Sequence, residues 1–191
     1  MNHHTYIRIG LMGSSCSGKT TTAEILSKEL NLKLEKEFES ELLSEWISKG
    51  IIKSKNDLIP ELSRKFQEKA LSTREYNSED VKRGISDRTA ADLLVYNRIY
   101  VQPYFSPDCA IEFTNRCKVI MDTYTHLFLF PAGVLTLEDN GARTINVDYQ
   151  KRIHESLINI LNEFKLTYTA LSPRKLTIEE RVQEVRQCLK I

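Results

Sequence analysis

Along the chain, apolar runs too short for helices alternate with longer stretches whose apolar residues recur every three or four positions. Residues 6–11 are apolar and β-favouring apart from Arg8, and read as a buried strand. Residues 20–30 carry Ala23, Leu26 and Leu30 at helical spacing and stop at Asn31. A short second strand over 32–38 runs into four acids, Glu35, Glu37, Glu39 and Glu41, most of which read as a solvated charged face. Leu42, Leu43, Trp46 and Ile47 predict a helix that Gly50 ends. Asp57 is placed to cap a longer helix through Leu58, Leu62, Phe66 and Ala70, with Pro60 tolerable in its first turn. A strand ending at Asp87 and Arg88 leads into a helix over 90–94, and Pro103 and Pro107 predict an irregular stretch before a helix over 111–121. Residues 126–130 read as another strand, closed by Pro131 and Gly133. The polar, turn-rich run near 134–148 has the composition of a mobile lid, and Tyr149, Ile153, Leu157, Ile160 and Phe164 then line one helix face. A last strand over 166–171 stops at Ser172-Pro173, and a capping box of Thr177 and Glu180 opens a helix along Ile178, Val182, Val185 and Leu189. Strands alternating with helices predict an α/β fold, a three-layer α/β/α sandwich over a parallel sheet, in a single domain over residues 1–191.

Composition narrows the partners. The 191 residues carry a formal net charge of +1, so nothing advertises a nucleic-acid or membrane surface. No apolar run reaches membrane-span length, and no signal-peptide core opens the chain. The four cysteines form no C-x-x-C pair, which suits reduced thiols and a cytoplasmic location.

The chemistry concentrates in Gly13-Ser14-Ser15-Cys16-Ser17-Gly18-Lys19-Thr20, which fits the phosphate-loop pattern G-x-x-x-x-G-K-[ST] between a strand and a helix. Its two glycines let the backbone turn its N–H groups onto phosphates at the positive end of a helix. Lys19 then supplies a charge for the β- and γ-phosphates, and the Thr20 hydroxyl a ligand for Mg²⁺. The nucleotide-binding set is therefore residues Gly13 to Thr20 with the adjoining Thr21, and the expected cofactors are ATP and Mg²⁺.

A second cluster lies at Asp87-Arg88. A cation at a helix N-terminus opposes the helix dipole, so Arg88 there needs a reason. One is a surface pair with Asp92, four residues on; the other is an anionic ligand, which the upstream phosphate loop favours.

Together, the loop, the Asp87-Arg88 pair, the run Asp139-Asn140-Gly141-Ala142-Arg143-Thr144 and the following Tyr149-Gln150-Lys151-Arg152-Ile153 resemble the AAA-domain kinase family that contains the NadR-type ribosylnicotinamide kinases. More loosely, the chain is similar to the thymidylate- and deoxynucleoside-kinase group. The resemblance implies five parallel strands in the order 2-3-1-4-5 and a lid before a helix starting near Asn146. It implies transfer of the ATP γ-phosphoryl group to a small nucleoside-like hydroxyl or to a phosphate. On this resemblance the catalytic residues are Lys19, Asp87, Arg88, Arg143 and Glu37, Thr20 and Asp87 place the metal, and Arg143 and Arg152 add to the nucleotide site. Glu37-Phe38 resembles a Glu-Tyr pair that helps hold the acceptor, but the arginine expected three residues after the glutamate is Ser40 here, so either the acceptor differs from the family's familiar ones or another base, Arg64 or Arg74, covers its charge.

Rival readings leave specific marks. A GTPase carries a guanine-reading N-K-x-D run, and none exists here. An AAA motor carries consecutive acids where this chain has Asp87-Arg88. A kinase of nucleic-acid ends needs the same catalytic parts but a more basic surface. A non-catalytic ATP sensor would bind ATP without consuming it, and an intact lysine, hydroxyl, aspartate and arginine together speak against that reading.

Overall fold

The structure is a computed structural model, and it describes residues 6–54, 57–133 and 147–190. Five strands build its sheet: β1 (Ile7–Met12), β2 (Lys33–Glu35), β3 (Arg83–Asp87), β4 (His126–Leu129) and β5 (Thr169–Ala170). Their order is β2-β3-β1-β4-β5 and all pairs are parallel, the topology that the family resemblance implies. The connecting helices are α1 (Lys19–Glu29), α2 (Phe38–Ser48), α3 (Pro60–Asp80), α4 (Ala90–Tyr100), α5 (Pro107–Met121), α6 (Val147–Glu163) and α7 (Ile178–Leu189).

Both faces of the sheet are covered because successive side chains of β1 and β4 point opposite ways. Ile9, Leu11 and Phe128 pack with Ala23 and Leu26 of α1 and Val182 and Val185 of α7. Met12, Leu127 and Leu129 pack on the other face with residues of α3, α4, α5 and α6, including Leu71, Leu94, Phe113 and Leu157. This is a three-layer α/β/α sandwich.

Element types match the periodicity, and several boundaries do not. As an edge strand, β2 pairs only with β3, over Lys33–Glu35, and Phe38 already opens α2. Asp57 does not cap α3: its carboxylate accepts the amides of Lys53 and Ser54 at 2.9 and 2.7 Å, and the helix starts at Pro60. The stretch around Pro103 is less irregular than predicted, with a 3₁₀ turn over Gln102–Tyr104 and α5 opening at Pro107 behind a Ser106 cap. The last strand is reduced to Thr169–Ala170. Both expected C-terminal stops hold: Asn31 and Gly50 have φ of 50° and 69°. The run assigned to a lid lies outside the described residues except for its last two positions, which begin α6.

Arg8 explains one of the four acids. It is fully buried in β1, and its Nε and Nη2 donate to both oxygens of Glu35 at 3.2 and 2.8 Å. Its Nη1 donates to Thr123 Oγ1, and the guanidinium lies 4.5 Å from the centroid of the Tyr124 ring. Ser86 Oγ donates to Glu35 Oε2 at 2.9 Å and accepts from Tyr124 Oη at 3.0 Å, which closes the network. Burial works against the Arg8 charge, but Tyr124 and the carboxylate outweigh it and raise its pKa. Removing one partner of such a pair strands the other charge. Glu35→Ala is therefore expected to lose about 3 kcal/mol or more of unfolding free energy in urea titration, while the double variant Arg8→Met, Glu35→Leu recovers most of it.

Candidate active site

The loop after β1 takes its shape from backbone conformations that few residues adopt. Gly13 has φ 148° and Gly18, the N-cap of α1, has φ 87°. A Cβ on Gly13 would stand 3.1 Å from both Cβ and the carbonyl oxygen of Phe130, so the loop also needs the space that glycine leaves. Lys19, the first residue of α1, is buried, and its Nζ donates to the Ser14 carbonyl at 2.7 Å and Ser17 Oγ at 3.0 Å. Burial, with Arg88 nearby, pushes its pKa down to about 8 against the pull of Asp92, Asp87 and Glu37.

The end of β3 meets this loop. Thr20 Oγ1 donates to Asp87 Oδ2 at 2.6 Å, and Asp87 Oδ1 is buried with no hydrogen-bond partner among the described residues. Arg88 has φ 76°, uncommon for a side-chain-bearing residue, and its amide donates to the Leu11 carbonyl at 3.0 Å. Its Nε lies 3.1 Å from Glu37 Oε1, and its Nη1 donates to Tyr96 Oη at 3.3 Å. A residue held in that region costs about 1–3 kcal/mol, and such strain clusters at functional sites.

The Arg88–Asp92 surface pair does not form. Asp92 is buried in a capping box with Thr89 at the start of α4, taking the Thr89 amide on Oδ2 at 2.8 Å. Its Oδ1 accepts the Gly13 amide at 3.1 Å, so one carboxylate joins the helix start to the phosphate loop. The T-x-x-D spacing of Thr89 and Asp92 is the signal that locates this cap.

Beside Arg88 a small cleft is lined by Lys36, Phe38, Thr73, Arg74, Asn77 and Tyr124, among others. Arg74, rather than Arg64, reaches it: Arg74 is buried and pairs with Glu39 at 2.8 Å. Arg64 is exposed and lines a different groove of about 370 Å³ with Lys65, Glu68, Phe105 and Cys109. Ser40 is exposed. Three of the four acids Glu35, Glu37, Glu39 and Glu41 thus face arginines, and only Glu41 belongs to the solvated face predicted for most of them.

The described structure brings Lys19, Thr20, Asp87, Arg88 and Glu37 into one cluster. Ser15 and Cys16 are half-buried in the loop, Ser14 and Ser17 are buried, and Thr21 is exposed on α1. Arg152 is exposed on α6, and Arg143 lies outside the described residues. Two contacts to the loop were not anticipated: Gln150 Nε2 on the Ser15 carbonyl and Arg181 Nη1 on the Ser17 carbonyl, both at 3.0 Å. Their signal is position, since Arg181 falls on the apolar stripe of Ile178, Val182 and Val185.

Comparison with known proteins agrees with the fold. A family model described as AAA domain matches residues 8–181. No curated protein matches the sequence. Among solved structures, deoxyadenosine kinase from M. mycoides, with products dCMP and a flexible dCDP bound, superposes with a TM-score of 0.69 at 14% identity, over 96% of this chain and 98% of that one. Thymidylate kinase from Ehrlichia chaffeensis gives 0.63 at 17% identity, over 96% and 98%. NadR protein in complex with NAD and AMP-PNP gives 0.61 at 18%, over 98% of this chain and 51% of that longer one. Among the described residues, no helix is long and apolar enough to cross a membrane.

Proposed function

This chain belongs to the AAA-domain family, and we propose that within it the protein is an ATP-dependent phosphotransferase, moving the γ-phosphoryl group of Mg-ATP to a small nucleoside- or nucleotide-like acceptor. The observation that carries this reading is the 2.6 Å contact between Thr20 Oγ1 and Asp87 Oδ2, which joins a phosphate-loop hydroxyl to a strand-end carboxylate beside a buried lysine.

Those two oxygens are hard donors of the kind that suit Mg²⁺, and the partnerless Asp87 Oδ1 gives the carboxylate a further free donor atom. When bound there, Mg²⁺ neutralises charge on the β- and γ-phosphates. The chain's own residues do the positioning. Loop amides and Lys19 hold the phosphates, and Arg88, fixed by Glu37 and Tyr96, offers its remaining donors to the transferring group. Glu37 or Asp87 accepts or orients the acceptor hydroxyl's proton. Arg143 and Arg152 keep the roles that the family resemblance gives them, at the transferring group and the nucleotide.

Charge balance in the cleft favours a hydroxyl acceptor. Among the described residues, both guanidiniums lining it are already matched, Arg88 by Glu37 and Arg74 by Glu39. A phosphate-bearing acceptor would bring further negative charge to cations already engaged. The test is incubation with Mg-ATP and a panel of nucleosides, nucleoside monophosphates, ribosylnicotinamide and oligonucleotides, read by mass spectrometry. A phosphoryl gain on an uncharged nucleoside-type hydroxyl is expected. Folded protein that binds Mg-ATP and phosphorylates no member of the panel would instead be an ATP sensor. A gain on oligonucleotides alone would identify a nucleic-acid kinase.

A further inference from the structure

A phosphate loop works only if its N–H groups face the ligand, so its buried carbonyls need other hydrogen-bond donors. Here two of those carbonyls are taken by side chains of distant helices. Gln150, in the first turn of α6, donates to Ser15, and Arg181, near the start of α7, donates to Ser17 across 164 residues of sequence.

Arg181 is a poor choice if stability is all that is served. It is fully buried, forms no ion pair among the described residues, and leaves Nε and Nη2 without partners. Its guanidinium lies 5.6 Å from the centroid of the Phe130 ring. Burial lowers its pKa, and Glu184 and Glu180 only partly offset this. A buried cation lacking a carboxylate is destabilising, and an apolar side chain of similar length is the more stable occupant. Gln150 repeats the pattern in neutral form: it is also buried, with Oε1 unpartnered.

We infer that Arg181 and Gln150 are positioning residues for nucleotide binding: they hold the Ser15 and Ser17 carbonyls outward so that the loop amides converge on a triphosphate, and Arg181 adds a buried positive charge behind the loop. The inference rests on the reading of the loop as an ATP site. Neither residue touches the reacting atoms; both act through the backbone of residues 13–20.

The test separates this role from a structural one by sign. Arg181→Met, Arg181→Lys and Gln150→Leu are compared with the unaltered protein by thermal unfolding and by calorimetric titration with Mg-ATP. Arg181→Met is expected to keep or raise the melting temperature while weakening Mg-ATP binding about 10-fold or more, since it removes a charge-assisted hydrogen bond. Arg181→Lys, which keeps charge and one donor, recovers part of that loss, and Gln150→Leu weakens binding by about 3- to 10-fold without unfolding. The effect falls on KM for ATP rather than on kcat. The inference is overturned if Arg181→Met binds Mg-ATP as tightly as the unaltered protein, or if its melting temperature drops or it fails to fold while Gln150→Leu binds normally. Failure of the unaltered protein to bind Mg-ATP would overturn the ATP-site reading itself, a result distinguishable from the others.

Discussion

Lys19→Ala is expected to lower turnover on the order of 10³-fold while the protein stays folded, because the lost group carries transition-state charge rather than core packing. Lys19 is buried at the first position of α1 and, among the described residues, bonds only to oxygens of its own loop, Ser14 O and Ser17 Oγ. That leaves it poised for an anion and costly without one, as its pKa of about 8 records. Binding a polyanion favours the charged amine, so above pH 8 the complex takes up a proton and affinity for Mg-ATP falls as pH rises. In Lys19→Ala that slope disappears. Stability moves the other way: between pH 8 and 10.5 the unfolded lysine holds a proton that the folded one has released, so the ligand-free protein gains stability through that window. Calorimetric titration at several pH values, with unfolding curves alongside, measures both slopes. A Lys19→Ala protein that turns over normally, or keeps the pH slope, removes Lys19 from the nucleotide site.

What could be read in the sequence was what is local. Periodicity of two against 3.6 residues separated strands from helices, and G-x-x-x-x-G-K-T placed the phosphate loop because all its atoms come from one turn. Two of the failures share a cause. Arg8 finds Glu35 only because β3 lies between their strands in register, with Ser86 opposite Glu35. Arg181 finds Ser17 only because α7 docks on α1 through Leu26, Val182 and Val185. Asp57 prefers two nearby amides to the helix it precedes, a local competition that spacing cannot decide. Arg8 and Arg181 left a trace nonetheless: a charge inside an apolar strand, and an arginine on an apolar helix stripe. Such a residue marks where a fold accepts a cost, and here one lies in β1 and the other reaches the loop that follows it.

Asp87 carries the other large effect. Asp87→Asn keeps the side-chain shape and a hydrogen bond to Thr20, but removes the negative charge at the end of β3. Turnover is expected to fall on the order of 10³-fold, with a higher Mg²⁺ concentration needed for half-maximal rate, because on the proposed reading the carboxylate helps to hold the ion. Folding is not at stake: Asp87 is buried, its Oδ1 has no partner among the described residues, and an amide there carries a smaller desolvation penalty than a carboxylate. Thr20→Ser supplies the control, since it keeps the hydroxyl within reach of Asp87 and should stay within about 10-fold of the unaltered rate. Thr20→Ala removes that hydroxyl and should share the Mg²⁺ dependence of Asp87→Asn. Because the two groups touch, the combined variant should cost little more than the worse single one, the non-additivity expected of residues that act as a unit. Steady-state rates across a Mg²⁺ series for the four variants and the unaltered protein decide the matter. Independent, additive losses, or an Asp87→Asn rate and Mg²⁺ dependence equal to those of the unaltered chain, would mean that the 2.6 Å contact only staples β3 to α1.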